Sequence, residues 1–340
     1  MLGDVFAPEW FEPIKDSELR DVLQRIAAES QEDLNRMHRE LTRRGIRVIR
    51  PAQIPGDTIL NYMWETQFNQ GALPRPPLCP RDVAVTLGNR LLWTQRSRIP
   101  MMAPLNSAID SQYIDLPLAA DILGRANQAD DLWDHFDAPS VTRVGRDLYV
   151  DSLDHPNLPA WIRRHYPEYR VHDVRIGGHN DSCFSPVKPG LILSITGLDH
   201  YEQTFPGWEV CYLEGQSWSK VDGWMQLKNS NSGRWWIPGE HDNKKLIAFC
   251  NTWLNDWVGF VEETVFDVNC LVIDEETVWV NNYNEQAFKA LARHGMRAEV
   301  MPWRHRYFWD GGLHCVTLDI EREGSQEDYF PEMKTLWQNL

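Results

Sequence analysis

Of the six cysteines in this chain, Cys315 has the setting that a nucleophile needs. It stands in Trp309-Asp310-Gly311-Gly312-Leu313-His314-Cys315-Val316-Thr317. The glycine pair allows a tight turn and a close approach of backbone to a ligand. The alternation from Val316 to Ile320 predicts a strand, with the thiol at its mouth. A thiol so placed attacks only when its pKa is lowered or a neighbour takes its proton. A cysteine alone is more often a buried structural residue, so its partners must come from elsewhere in the chain.

Candidate partners recur along the sequence. Asp82 follows Cys79-Pro80-Arg81, Asp137 stands in His135-Phe136-Asp137-Ala138, and His179 and Asp181 share Gly178-His179-Asn180-Asp181. Glu262 and Glu263 are adjacent further on. An imidazole at His179 could accept and return protons near neutral pH. Asp137 could hold that ring and stabilise its cation, in the logic of a nucleophile–base–carboxylate triad. Asp82 and Asp181 have no part in such a relay. Carboxylates beside a thiolate would repel it unless the substrate is cationic, and the forked donors of a guanidinium match them bidentately. Sulfur attack on the guanidinium carbon would then expel an amine and leave an amidino-thioether.

These residues precede or begin hairpin-like units that repeat along the chain. Strand–turn–strand patterns are expected at 82–93, 140–150, 181–193 and 267–280, with a fifth starting at Leu313. Helices ending in a short strand lie between them: Trp161 to His165 before Tyr169–Val174, a segment ending at Gly207 before Trp208–Tyr212, and Ala287 to His294 before Arg297–Met301. Five such units could close in a ring with one end of each hairpin at the centre, making a single α/β domain; an ordinary α+β sheet is the alternative. The first 14 residues read as an irregular arm. A helical stripe runs through Leu19, Val22, Leu23 and Ile26 and on to Leu41, with Ser30 and Asp33 either a capping box or part of one long helix. Gly45 stops it, and Ile46 to Pro51 reads as a short strand, so a helical arm covers about 1–50. Residues 216–246, rich in Gly, Asn, Ser and Trp, read as an inserted loop, either a lid or a packing flap.

Composition narrows the partners. The 340 residues carry 34 Lys+Arg against 49 Asp+Glu, a formal charge of −15. That balance disfavours nucleic acid and suits a cationic substrate. No apolar run is long enough to span a membrane. The first residues lack the basic start and apolar core of a secretory signal, so a cytoplasmic location with reduced thiols is expected. No two cysteines stand at zinc-finger spacing.

Taken together, these motifs resemble the guanidino-group-modifying (pentein) superfamily, and within it the arginine:glycine amidinotransferase family. Cys79-Pro80-Arg81-Asp82 with Gly88-Asn89, Phe136-Asp137-Ala138 with Val144-Gly145-Arg146-Asp147, and His179-x-Asp181 with Pro189-Gly190 resemble its first three hairpins. Asn269 with Leu271 and Asp274-Glu275 resembles the fourth. Gly311-Gly312-Leu313-His314-Cys315-Val316-Thr317 resembles its nucleophile motif.

The resemblance implies a five-bladed pseudo-symmetric α/β propeller and no metal or organic cofactor. It implies Cys315 as nucleophile, His179 as general acid/base and Asp137 as its orienting partner. Asp82, Asp181, Glu262, Glu263 and His314 are expected to bind substrate. Expected partners are L-arginine as amidino donor, a small amine acceptor and, as one option, a second copy in a homodimer.

The chain departs from the family where the glycine-using enzyme carries an arginine and two serines. Here those positions hold Leu198, Glu262 and Glu263. Both changes make the site more negative and point towards a cationic amine acceptor. Amidino transfer to an amine is therefore the leading expectation. Hydrolysis of the same intermediate, and a guanidinium-binding protein without turnover, are the alternatives.

Overall fold

The structure is a computed structural model, and it describes residues 1–52, 58–61, 63, 76–94, 104–105, 107–115, 136, 138–153, 156–176, 179–196, 200–217, 240, 243–254 and 267–333. Twelve strands among these residues form four three-stranded sheets of one pattern. They are β1 (Ala84–Leu87), β2 (Arg90–Trp93) and β3 (Ile114–Asp115); β4 (Val141–Val144), β5 (Asp147–Asp151) and β6 (Arg170–Val174); β7 (Phe184–Lys188), β8 (Leu191–Thr196) and β9 (Glu209–Ser217); and β10 (Leu271–Val272), β11 (Thr277–Val280) and β12 (Arg297–Val300). In each sheet the first two strands form an antiparallel hairpin and the third returns parallel to the second. A return parallel to its neighbour needs a crossover. Helices Leu158–His165, Tyr201–Thr204 and Glu285–Arg293 supply three of these. The middle strand of each sheet carries the apolar run: every residue of β5 and β11 is buried, as expected for a strand covered on both faces.

The four expected hairpins therefore form, with limits shifted by a few residues. Two of the chemically important aspartates lie just outside them. Asp82 is in the helical turn Pro80–Val83, where Pro80 sits at the first helical position with its φ already set. Asp181 is in the 3-10 turn Asn180–Ser182.

The fifth unit departs most from expectation. The run from Val316 to Ile320 is not a strand but a single bridge, Thr317 to Leu2. Its amides serve the turn before it: Val316 N–H donates to Gly312 O at 3.1 Å and Thr317 N–H to His314 O at 3.1 Å. The expected strand from Ile46 to Pro51 has no ladder either, but Leu2 N–H donates to Ile49 O at 2.9 Å. Gly3 N–H donates to Val316 O at 2.8 Å and Leu318 N–H to Met1 O at 2.8 Å. The first residues are irregular in backbone, as expected, and pack into the body of the chain. They lie between the nucleophile segment and residue 49, with Leu2 fully buried and Val5, Trp10 and Phe11 in the core. The four sheets are separate pieces, and none of the described sheets closes on itself.

One long helix supports the nucleophile segment. Ser17–Arg43 is capped by Asp16, which accepts from Leu19 N–H at 3.2 Å, and ends before Gly45 at φ +80°. Ser30 and Asp33 lie within it and cap nothing. Ser30 receives Trp309 Nε1–H at 2.7 Å, and Asp33 receives Arg304 Nε–H at 3.0 Å. The buried stripe Leu23, Ile26, Leu34 and Met37 packs in one core with Trp303, Phe308, Trp309, Leu313 and Val316. Burying each such side chain contributes about 1.5–3 kcal/mol, so this stripe is the main anchor of the segment before Cys315. Of the expected insertion at 216–246, residues 218–239, 241 and 242 lie outside the described residues, β9 runs on to Ser217, and a helix starts at Lys244. Among the described residues no helix is long and apolar enough to cross a membrane.

Candidate active site

The nucleophile loop is fixed from three sides. Trp303 Nε1–H donates to Gly311 O at 2.7 Å. A Cβ on Gly312 would meet Asn269 Oδ1 at 2.3 Å, and one on Gly311 would meet Cys79 Sγ at 2.8 Å. The glycine pair is required because other side chains crowd against the backbone there. Arg81 holds the loop from the first unit. Its backbone N–H donates to Cys315 O at 3.4 Å and its Nε–H to Thr317 O at 2.9 Å, while its guanidinium pairs with Asp319 at 3.2 Å.

Asn269, fully buried, joins three units at one point. Its Oδ1 accepts His314 N–H at 2.9 Å and Cys315 N–H at 3.3 Å. Its Nδ2 donates to Asp181 O at 3.2 Å and to Cys315 Sγ at 3.1 Å. Asn281 backs this arrangement, donating to Asn269 O at 2.6 Å and accepting from Leu313 N–H at 3.2 Å. Asn180 does the same one unit away, with its Nδ2 on Ser140 O and Tyr149 O, each at 3.1 Å. Side-chain amides thus stitch the second unit to the third, the third to the fourth and the fourth to the nucleophile loop.

Asp181 Oδ2 accepts from His314 Nδ1 at 2.7 Å and lies 3.7 Å from Cys315 Sγ. Its Oδ1 is buried without a hydrogen-bond partner among the described residues. Burial works to raise the Asp181 pKa, but the His314 hydrogen bond, with the fields of His314, His179 and Arg81, outweighs it and leaves the carboxyl below its ordinary range. Burial, with Arg81 nearby, holds His314 below the usual imidazole range against the raising effect of Asp181, and its Nδ1–H faces the Asp181 carboxylate. Cys315 is pushed well above an ordinary thiol, first by burial and then by the charges of Asp181 and Asp82. The surroundings of the sulfur thus oppose its ionisation.

Of the expected site residues, the structure brings Cys315, Asp181 and His314 into direct contact and sets Asp82 close enough to act on the sulfur. His179 precedes the Asn180–Ser182 turn and acts electrostatically on Asp181. Asp137, Glu262 and Glu263 lie outside the described residues, as does Leu198. Sequence reasoning missed the part played by Arg81, Asn281 and Trp303, and took Asn269 only as one residue of a matching motif. Two of them sit inside motifs that were already legible, Arg81 beside Asp82 and Asn269 ahead of β10. Among the described residues no group of His, Cys, Asp or Glu could hold a metal ion.

No protein-family model matches the chain. In sequence it is similar to the mitochondrial glycine amidinotransferase of Gallus gallus, 27% identical over 202 residues, or 57% of this chain. That match spans only 40% of the chicken protein. It is also similar to inosamine-phosphate amidinotransferase 1 of Streptomyces glaucescens, 25% identical over 90% of this chain and 84% of that protein. A third relative is the L-arginine:L-lysine amidinotransferase of Pseudomonas savastanoi pv. phaseolicola, 23% identical over 65% of this chain and 54% of that protein. Among solved structures, an amidinotransferase of the saxitoxin pathway from Microseira wollei superposes with a TM-score of 0.62 at 20% identity, covering 97% of each chain. The N-terminal domain of a cyanobacterial arginine dihydrolase gives 0.51 at 14% identity, covering 94% of this chain and 96% of that one. At such identities the solved structures speak to the fold alone. In sequence this chain is similar to the amidinotransferases, and its α/β fold is like that of the guanidino-group-modifying pentein enzymes.

Proposed function

We propose that the chain is an amidinotransferase, moving the amidino group of L-arginine to a primary amine through a covalent intermediate on Cys315. The observation that carries this reading is the pairing around the sulfur. Cys315 Sγ is 3.7 Å from Asp181 Oδ2, and Asp181 Oδ1 is a buried acceptor with no hydrogen-bond partner among the described residues. An unsatisfied buried acceptor costs roughly 1–3 kcal/mol. A guanidinium would remove that cost and supply the positive charge that lets the thiol ionise.

In this reading the thiol proton passes to His179 as sulfur attacks the guanidinium carbon. The bond from that carbon to the arginine Nε breaks, His179 returns the proton to the departing nitrogen, and ornithine leaves. The acceptor amine then attacks the amidino carbon and gives a proton to His179, and the C–S bond breaks to restore Cys315. Asp137 orients His179, and Asp82 shares the guanidinium with Asp181. The five units form a ring around this point, the fifth completed by the first residues of the chain. The acceptor is glycine or another primary amine; Leu198, Glu262 and Glu263 favour a cationic one.

Ornithine release is measured from arginine with no acceptor, with glycine, with putrescine and with lysine. The reading predicts release that depends on added amine, fastest with the cationic acceptors. Steady formation from arginine alone of urea with ornithine, or of citrulline with ammonia, would contradict transfer and assign hydrolysis.

A further inference from the structure

The environment of the Cys315 sulfur is one-sided. Asp181, Asp82 and Cys79 all oppose its ionisation, and Asp181 Oδ2 is 3.7 Å away. Against them stand the backbone N–H of Gly312 and, among the described residues, one side-chain N–H donor, Asn269 Nδ2, at 3.1 Å. The orientation of that amide is set by its own bonds. Oδ1 accepts two backbone N–H groups of the nucleophile loop, at 2.9 and 3.3 Å, so the NH2 group must face Asp181 O and the sulfur. All four hydrogen-bonding positions of the side chain are filled, and the residue has no exposed surface.

We propose that Asn269 is a catalytic residue: its Nδ2–H bonds the Cys315 sulfur, selects its position at Asp181, and stabilises the thiolate when the guanidinium arrives. The inference rests on the amidino-transfer reading for its biological sense, but not for its test. An N–H donated to a thiol is weak, and the same N–H donated to a thiolate is charge-assisted and about twice as strong. The contact therefore strengthens as the sulfur becomes nucleophilic, and strengthens again when C–S cleavage returns the thiolate at the end of transfer. The Oδ1 bonds make the donor rigid, so no reorganisation accompanies the change. Asn281 bonds Asn269 O and Leu313 N–H, and is the frame behind the donor.

The test follows alkylation of Cys315 by iodoacetamide in the full-length protein, read by mass spectrometry of the Cys315 peptide across the neutral and alkaline range. Asn269→Asp keeps an acceptor for the two backbone N–H groups but removes the donor; Asn269→Leu removes both and cannot titrate. Both variants should alkylate about 10- to 100-fold more slowly at neutral pH, with the midpoint of the rate–pH profile moved upwards by about one to two units. Asn281→Ala loosens the frame and should lower the melting temperature while leaving that midpoint in place. Unmoved midpoints in both Asn269 variants, or an equal shift in Asn281→Ala, would overturn the assignment. Iodoacetamide needs no arginine, so failure of the amidino-transfer reading would leave this result standing, and the reverse holds too.

Discussion

His314 Nδ1 donates to Asp181 Oδ2 across 2.7 Å, while the other carboxylate oxygen is a buried acceptor with no hydrogen-bond partner among the described residues. In the proposed reading, a residue adjacent to the nucleophile thereby orients the carboxylate that meets the substrate. Asp181→Asn, which keeps the shape and removes the charge, should lower kcat/KM for arginine by about 10- to 100-fold. His314→Ala should cost less and fall mainly on KM, because the carboxylate keeps its charge and loses only its orientation. Steady-state kinetics with arginine as the varied substrate checks both.

Gly312→Ala should be destabilising by about 1–3 kcal/mol, since the added methyl would meet the immobile Asn269 Oδ1 at 2.3 Å. Urea unfolding measures the loss. Slower alkylation of Cys315 in the same variant would place the movement in the nucleophile loop.

Acid should weaken the attachment of that loop through Asp319. Burial works to raise its pKa, but Arg81 and Arg322 outweigh it and hold the carboxyl well below its ordinary range. A carboxyl lowered by folding contributes stability above its unfolded pKa and loses it as pH falls through the folded value. The melting temperature should therefore fall as pH drops below about 4, where the unfolded carboxyl begins to take up protons. Asp319→Asn should melt lower at neutral pH and lose less on acidification. A variant with the wild-type slope would remove Asp319 from the account.

Much of this architecture was legible in the residues. The hairpins 140–150 and 267–280 announced themselves by apolar runs around short turns, and the returning strands at Arg170 and Arg297 by the helices before them. These signals are local, and local periodicity carries them. The fifth unit was not legible, because Leu2 meets Thr317 from the far end of the chain and no spacing encodes that pairing. Ser30 and Asp33 looked like a cap because of their types, yet their side chains serve Trp309 and Arg304, partners that only the tertiary fold provides. Asn269 and Asn281 were missed as a clamp for the same reason: asparagine in a loop normally signals a turn, and its bonds to a distant backbone leave no trace in sequence. The grouping of Cys315, His314 and Asp181 was expected from motifs that named each residue type, and the structure places the three side by side.

The most direct measurement is mass spectrometry of the protein quenched after mixing with arginine in the absence of an acceptor amine. The account predicts a single added amidino group located on the Cys315 peptide, discharged on adding a primary amine and absent in Cys315→Ala. An intact protein mass unchanged by arginine, in a preparation that still turns arginine over, would contradict it.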